Sequence, residues 1–162
     1  MIKNFFECLN IFFISIKYIT YQKVIKLKPP YELEFQSKLQ MLLTDTKISR
    51  NYLDAQKALL VMIEDLKNES YKDVIYYALG TVTLELEKRK EAVDYFEMAL
   101  KFNKNNKSKR VKIFVTLGDL YFGQKQYPEA QVNYDSADHN LAIDHSRYKE
   151  SKSRALSLNE VI

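Results

Sequence analysis

One spacing constrains this chain more than any other. Ala55, Ala92 and Ala130 lie 37 and 38 residues apart, each is the fifth residue of its stretch (NYLDAQKALLVMI, KRKEAVDYFEMAL, QYPEAQVNYDSAD), and each precedes a large side chain by four: Leu59, Phe96, Tyr134. Twelve residues before the second and third alanines stand Gly80 and Gly118, and Leu43 holds that place before the first. A period of this size means stacked like units, each burying its apolar face against its neighbours. Gly80 sits inside a run, Tyr71 to Glu87, that otherwise reads as one helix. A mid-helix glycine costs about 1 kcal/mol relative to alanine, so a contact must need the missing side chain. Glycine on one helix and alanine on the next let an antiparallel pair approach closely. Tyr76 or Phe114 before the glycine, and Phe96 or Tyr134 after the alanine, are expected to fill the groove around them.

Composition agrees with helices. Three glycines and three prolines in 162 residues leave too few tight turns for a many-stranded sheet. The fold class expected is all-α. Twelve tyrosines and nine phenylalanines recur at helical spacing, which makes them wedges between helices rather than a platform for stacked bases. A net charge of +4 is too mild to argue for nucleic acid. The densest basic segment, Lys101 to Lys112, has six cations and no acid. It reads as a solvated inter-helix loop, with an anionic partner as the alternative. The lone Cys8 excludes an internal disulfide.

The start of the chain is apolar, but Glu7 interrupts it and the longest uncharged run, Cys8 to Ile16, is far too short to span a membrane. No small-residue cleavage site follows, and the FFE before Cys8 is wrong for a lipobox. A helix from Ile2 to Ile16 carries Phe5, Phe6, Leu9, Phe12, Phe13 and Ile16, more apolar surface than one neighbouring helix covers. If no earlier repeat covers it, this helix is a candidate surface for a homo-oligomer.

The repeat pattern, an aromatic, Leu-Gly, then Ala-x-x-x-aromatic and Ala, resembles the tetratricopeptide repeat (TPR). In one unit the matching residues are Tyr76, Leu79, Gly80, Ala92, Phe96 and Ala99; in the next they are Phe114, Leu117, Gly118, Tyr121, Ala130, Tyr134 and Ala137. An earlier unit departs from the pattern, with Leu42-Leu43 for Leu-Gly and then Ala55, Leu59 and Met62. KYITYQKVIKLKPP resembles the second helix of a still earlier one. The resemblance implies a right-handed α-α superhelix: an apolar helix and half-repeat over residues 1–30, hairpins at 31–66, 71–104 and 108–142, and a capping helix over 143–162. The residues beyond the usual period of 34 fall between units, as one added helical turn would. Ser70 with Asp73 reads as a capping box, and Pro128 as the first residue of a helix.

No chemistry rises above this pattern. His139 and His145 fall on different helix faces, Asp135 and His139 are spaced for a local surface pair, and Ser146 with Lys149 spells S-x-x-K without the motifs that accompany it in serine acyl enzymes. There is no phosphate loop and no Cys/His cluster, so no enzyme, cofactor or metal is expected. In a TPR array the first helix of each hairpin lines a concave groove. The residues facing a protein or peptide ligand would be Gln40 and Thr44, then Tyr77, Thr81 and Leu84, then Val115, Asp119 and Phe122. Gln40/Thr44 and Tyr77/Thr81 lack the Lys and Asn with which one TPR class grips C-terminal carboxylates.

Three longer strings, KVIKLKPPYELEFQSKL, MIEDLKNESYKDVIYYALG and LGDLYFGQKQYPEAQVNYDSA, resemble the TPR lipoproteins of the Bacteroidetes type IX secretion and gliding-motility apparatus. Those are large, envelope-anchored, non-enzymatic scaffolds, and this chain would be a fragment or short relative. The expectation is a protein-binding scaffold, placed in the cell envelope if it is a piece of such a protein and in the cytoplasm otherwise. The rival reading is a nucleic-acid or anionic-surface binder acting through Lys107, Lys109 and Arg110.

Overall fold

The computed structural model describes residues 2–139 with Ser153 and Ser157; residues 2–11 and 138–139 are described by backbone alone. Among them run seven α-helices and no strand: α1 (Ile2–Lys26), α2 (Tyr31–Ser49), α3 (Tyr52–Glu64), α4 (Lys72–Glu85), α5 (Arg89–Phe102), α6 (Lys107–Gly123) and α7 (Tyr127–His139), with a 3₁₀ segment, Leu66–Tyr71, before α4. The fold is all-α. The expected closing helix at 143–162 lies outside the described residues, save Ser153 and Ser157, where the Ser157 hydroxyl donates to the Ser153 carbonyl at 3.0 Å. The chain forms two compact units, residues 1–61 and 62–162.

In the first unit α1 is one unbroken helix of 25 residues, where an apolar helix followed by a separate half-repeat helix was expected. No glycine or proline interrupts the chain before Pro29, so nothing ends the first helix. The turn comes at Lys28, whose φ is 50°, and α1 then packs along α2. α2 ends on Arg50 in the left-handed conformation, its N–H donating to the Thr46 carbonyl. Asn51 and Asp54 then start α3 reciprocally: the Asn51 amide donates to the Asp54 carboxylate at 2.6 Å, and its oxygen accepts the Asp54 N–H at 3.4 Å. Phe35, Leu39, Ala55 and Leu59 are buried.

The second unit is two successive hairpins, α4/α5 and α6/α7, with α6 also packed on α5. Both hairpin turns are Schellman closures. Lys88 N–H reaches back to the Thr83 carbonyl and Glu87 N–H to that of Leu84; Gln126 and Lys125 do the same to Tyr121 and Phe122. The left-handed residue is not glycine in either turn but Glu87 (φ 59°) and Lys125 (φ 61°). That is how so glycine-poor a chain reverses direction.

The two hairpin glycines meet rings. A Cβ on Gly80 would lie 2.7 Å from Phe96, and one on Gly118 would lie 2.5 Å from Tyr134. Ala92, Phe96 and Ala99 are fully buried with Ile113 and Leu117, while Ala130 and Tyr134 form the corresponding cluster of α7. Each glycine therefore seats the aromatic ring of the next helix against bare backbone, and the dispersion and burial gained there offset the glycine's helix penalty.

The residues between units are handled in two ways. Before α4 they form the 3₁₀ segment, capped by the Asp65 carboxylate accepting the Lys67 N–H at 3.0 Å. Before the next hairpin, α6 simply starts earlier, eleven residues ahead of its glycine against eight in α4. The expected Ser70/Asp73 capping box is absent, since no side chain caps α4. Asp73 is drawn instead to Asn103 and Lys109. Pro128 is the second residue of α7, one place later than expected.

Candidate partner-binding face

The first helices of the two hairpins, α4 and α6, meet through side chains in the second unit. Lys112 of α6 holds its ammonium 4.9 Å above the ring of Tyr77 on α4, and that ring also packs, tilted, on Phe96 with centroids 5.5 Å apart. One turn on from each partner stands a threonine tied to its own helix: Thr81 Oγ1 donates to the Tyr77 carbonyl at 3.0 Å, and Thr116 Oγ1 to that of Lys112 at 2.8 Å. The face thus offers one cation, the edge of one aromatic ring and two hydroxyls. The cation–aromatic contact contributes about 0.5–1 kcal/mol at such a half-exposed site.

The eight residues expected on the groove are not equivalent. Thr81 is exposed, and Tyr77 and Leu84 are half-buried against the Phe96 cluster. Val115 is 5% exposed and packs with Val111 and Ala137, so it is core rather than ligand surface. Its position three residues before the glycine matches that of Tyr77, but a small β-branched side chain stands there. Asp119 accepts a hydrogen bond from the Tyr134 hydroxyl at 2.9 Å and so serves the hairpin itself. Phe122 packs edge-on to Tyr127 at 5.6 Å. In the first unit Gln40 is exposed, but Thr44 is 9% exposed and is likewise corrected to a buried position. Lys112 and Thr116 were missed. Their signal was available: Lys112 is the same distance before Gly118 as Val74 is before Gly80, and a charge at that register has to face outward.

The basic segment is only partly free. Asn103, 4% exposed, donates from its side chain to Asp73 at 3.2 Å and accepts the Asn106 N–H at 3.0 Å. Lys109 pairs with the same Asp73 carboxylate at 3.3 Å. Arg110 donates to the carbonyls of Leu100 and Asn103, both at 3.3 Å, and its guanidinium lies 5.6 Å from the Phe114 ring. A cation satisfying the last carbonyls of α5 is placed where helix ends favour positive charge. Lys109 and Arg110 therefore work within the fold, while Lys112 is exposed above the Tyr77 ring. Lys101, Lys104 and Lys107 are exposed and make no ion pair among the described residues.

The tetratricopeptide-repeat family model matches residues 74–106, which take in most of α4, all of α5 and the joint that follows. That stretch matches a single tetratricopeptide repeat. The solved structure of PilF from Pseudomonas aeruginosa has the same fold, matching over 91% of this chain and 74% of its own with a TM-score of 0.53 at 19% identity. No curated protein matches the sequence. TPR hairpins in general hold protein partners, and among the described residues no group of His, Cys, Asp and Glu is placed to hold a metal ion. No described helix is long and apolar enough to cross a membrane.

Two tyrosines beside this face have phenols held above their ordinary range. For Tyr95 burial is the first cause, followed by the hydroxyl's hydrogen bond to Glu91 at 3.1 Å. For Tyr121 burial again comes first, followed by the charges of Glu97, Glu129 and Asp94. Both stay neutral at physiological pH, so neither supplies a base.

Proposed function

We propose that this chain is a non-enzymatic scaffold that holds a peptide or partner helix on the face formed by α4 and α6. The observation that carries the reading is the Tyr77–Lys112 pair with Thr81 and Thr116 beside it, a strip combining an aromatic anchor, a cation and hydrogen-bonding hydroxyls on rigid helices. Tyr77, Thr81, Leu84 and Phe122 remain the residues proposed to meet the ligand on this face, joined by Lys112 and Thr116, while Gln40 belongs to the first unit and is no part of it. The test is photo-crosslinking from position 81 and from position 116, with position 97 on the outer side of α5 as control. Crosslinks to one protein from 81 and 116 but not 97, lost in Tyr77→Ala/Lys112→Ala at unchanged helicity, support the face; equal yields from all three sites reject it.

The likeness of three long strings to the type IX secretion and gliding lipoproteins supports a place in such an assembly, with the cell envelope as compartment. Finding the crosslinked partner outside that machinery refutes this narrower role and leaves the scaffold standing. The exposed Phe12, Phe13 and Ile16 on α1 support pairing of the chain through that helix. Phe12→Asp/Ile16→Asp should then return a dimer to monomer in analytical ultracentrifugation, and a monomeric wild type removes the proposal.

A further inference from the structure

We infer that the joint between α5 and α6 is an electrostatic docking edge for an anionic bilayer surface, carried by Lys101, Lys104 and Lys107. This rests on the joint alone and stands apart from the scaffold reading. The joint's polar groups are already engaged: the Asn103 carbonyl by Arg110, its side chain by Asp73 and Asn106, and the start of α6 by the Asn106 oxygen accepting the Lys109 N–H at 3.0 Å. The carboxylates at the start of α4 are also taken, Asp73 by Lys109 at 3.3 Å and Glu69 by Lys72 at 2.6 Å. Phe102, the aromatic ring inside the segment, is stacked on Tyr76 at 5.4 Å and sits under Lys72.

What remains is three exposed ammonium groups with no backbone edge to pair a peptide strand and no free ring on which a base could stack. Lysine is a hydrated point charge without the planar fork that reads a single phosphate bidentately. Such a patch recognises charge density. Duplex nucleic acid is held non-specifically by many more phosphate contacts than three lysines make, whereas an anionic leaflet attracts each exposed lysine near it through charge alone. Each lysine near such a surface strengthens binding about fivefold. Lys101, with Glu97 one turn before it on α5, contributes least.

The test is co-sedimentation of the full chain with phosphatidylcholine vesicles with and without 30% phosphatidylglycerol, at low and high salt. Binding should require the anionic lipid, weaken steeply with salt, and fall on the order of 100-fold in Lys101→Glu/Lys104→Glu/Lys107→Glu. The control is Lys88→Glu/Arg89→Glu/Lys90→Glu at the opposite end of the hairpin, which changes net charge equally; circular dichroism verifies that both variants fold. Equal loss in the two variants, equal binding to neutral vesicles, no binding at low salt, or tighter binding to a duplex DNA of matched phosphate concentration each overturns the inference.

Discussion

Hairpins α4/α5 and α6/α7 solve the same packing problem with different chemistry. Both set an aromatic ring on a glycine, but the first uses Phe96 and the second Tyr134. The residue after the glycine changes in step. It is Thr81 in the first, bonded to its own helix, and Asp119 in the second, accepting the Tyr134 hydroxyl at 2.9 Å. A ring deep in a helical groove brings its para position beneath the neighbouring helix, and adding a hydroxyl there demands an acceptor. The hairpin starts differ too: Asp73 reaches across to the joint, while its counterpart Val111 is buried with Val115 and Ala137. Shape is repeated and polarity is local, so one hairpin leaves an exposed threonine after its glycine and the other places there a carboxylate that serves its own tyrosine.

The largest effect should come from filling the shared contact. Gly80→Trp and Gly118→Trp overpack sites where even a methyl group meets a ring, Ala92→Trp overpacks a fully buried one, and overpacking of one or a few methylenes already costs about 1–3 kcal/mol. Loss of cooperative melting and of helicity is expected for all three. Next, Tyr134→Phe leaves Asp119 without that hydroxyl and should cost about 1–3 kcal/mol in urea unfolding. Phe96→Tyr should destabilise by a comparable amount, and Phe96→Tyr/Thr81→Asp should recover most of it. Absence of that recovery breaks the comparison.

Asp73→Val makes the first hairpin begin as the second does, and should cost about 1–2 kcal/mol because the buried Asn103 amide loses its acceptor. Glu87→Gly and Lys125→Gly should each stabilise by up to about 1 kcal/mol, because only glycine adopts the left-handed turn without strain, part of the gain being lost to unfolded-state entropy. The smallest effect is one of pH. Tyr95 and Tyr121 hold their protons more tightly folded than unfolded, so their contribution is intact below the ordinary phenol value of 10.0 and is lost as pH rises through the raised values. Tyrosinate absorbance should appear later in the native than in the urea-unfolded chain, with stability falling as pH rises from the ordinary phenol value through the raised ones.

The all-α hairpin fold was legible in the sequence because small residues recurring at fixed spacing leave helices few other ways to pack. The site was less legible. Gly80 and Gly118 stand out because they violate a local preference, whereas the burial of Thr44 and Val115 depends on how far each helix rotates about its axis, which a one-dimensional register leaves open. Asp73 looked like half of a local cap, yet its hydrogen-bond partners lie 30 and 36 residues away. The turns were hidden for the opposite reason: Glu87 and Lys125 carry no turn signature, and only the closure around them forces their φ.

The Asn103 joint also sets how the second unit responds to load. The elasticity of stacked hairpins resides where one pair meets the next, and here that hinge combines a buried amide, 4% exposed, with a lysine, Lys109, whose side chain is 44% exposed. Salt screens the exposed charge and leaves the buried amide untouched. Rising ionic strength should therefore soften this hinge without releasing it, giving the unit a stiffness tuned by its medium.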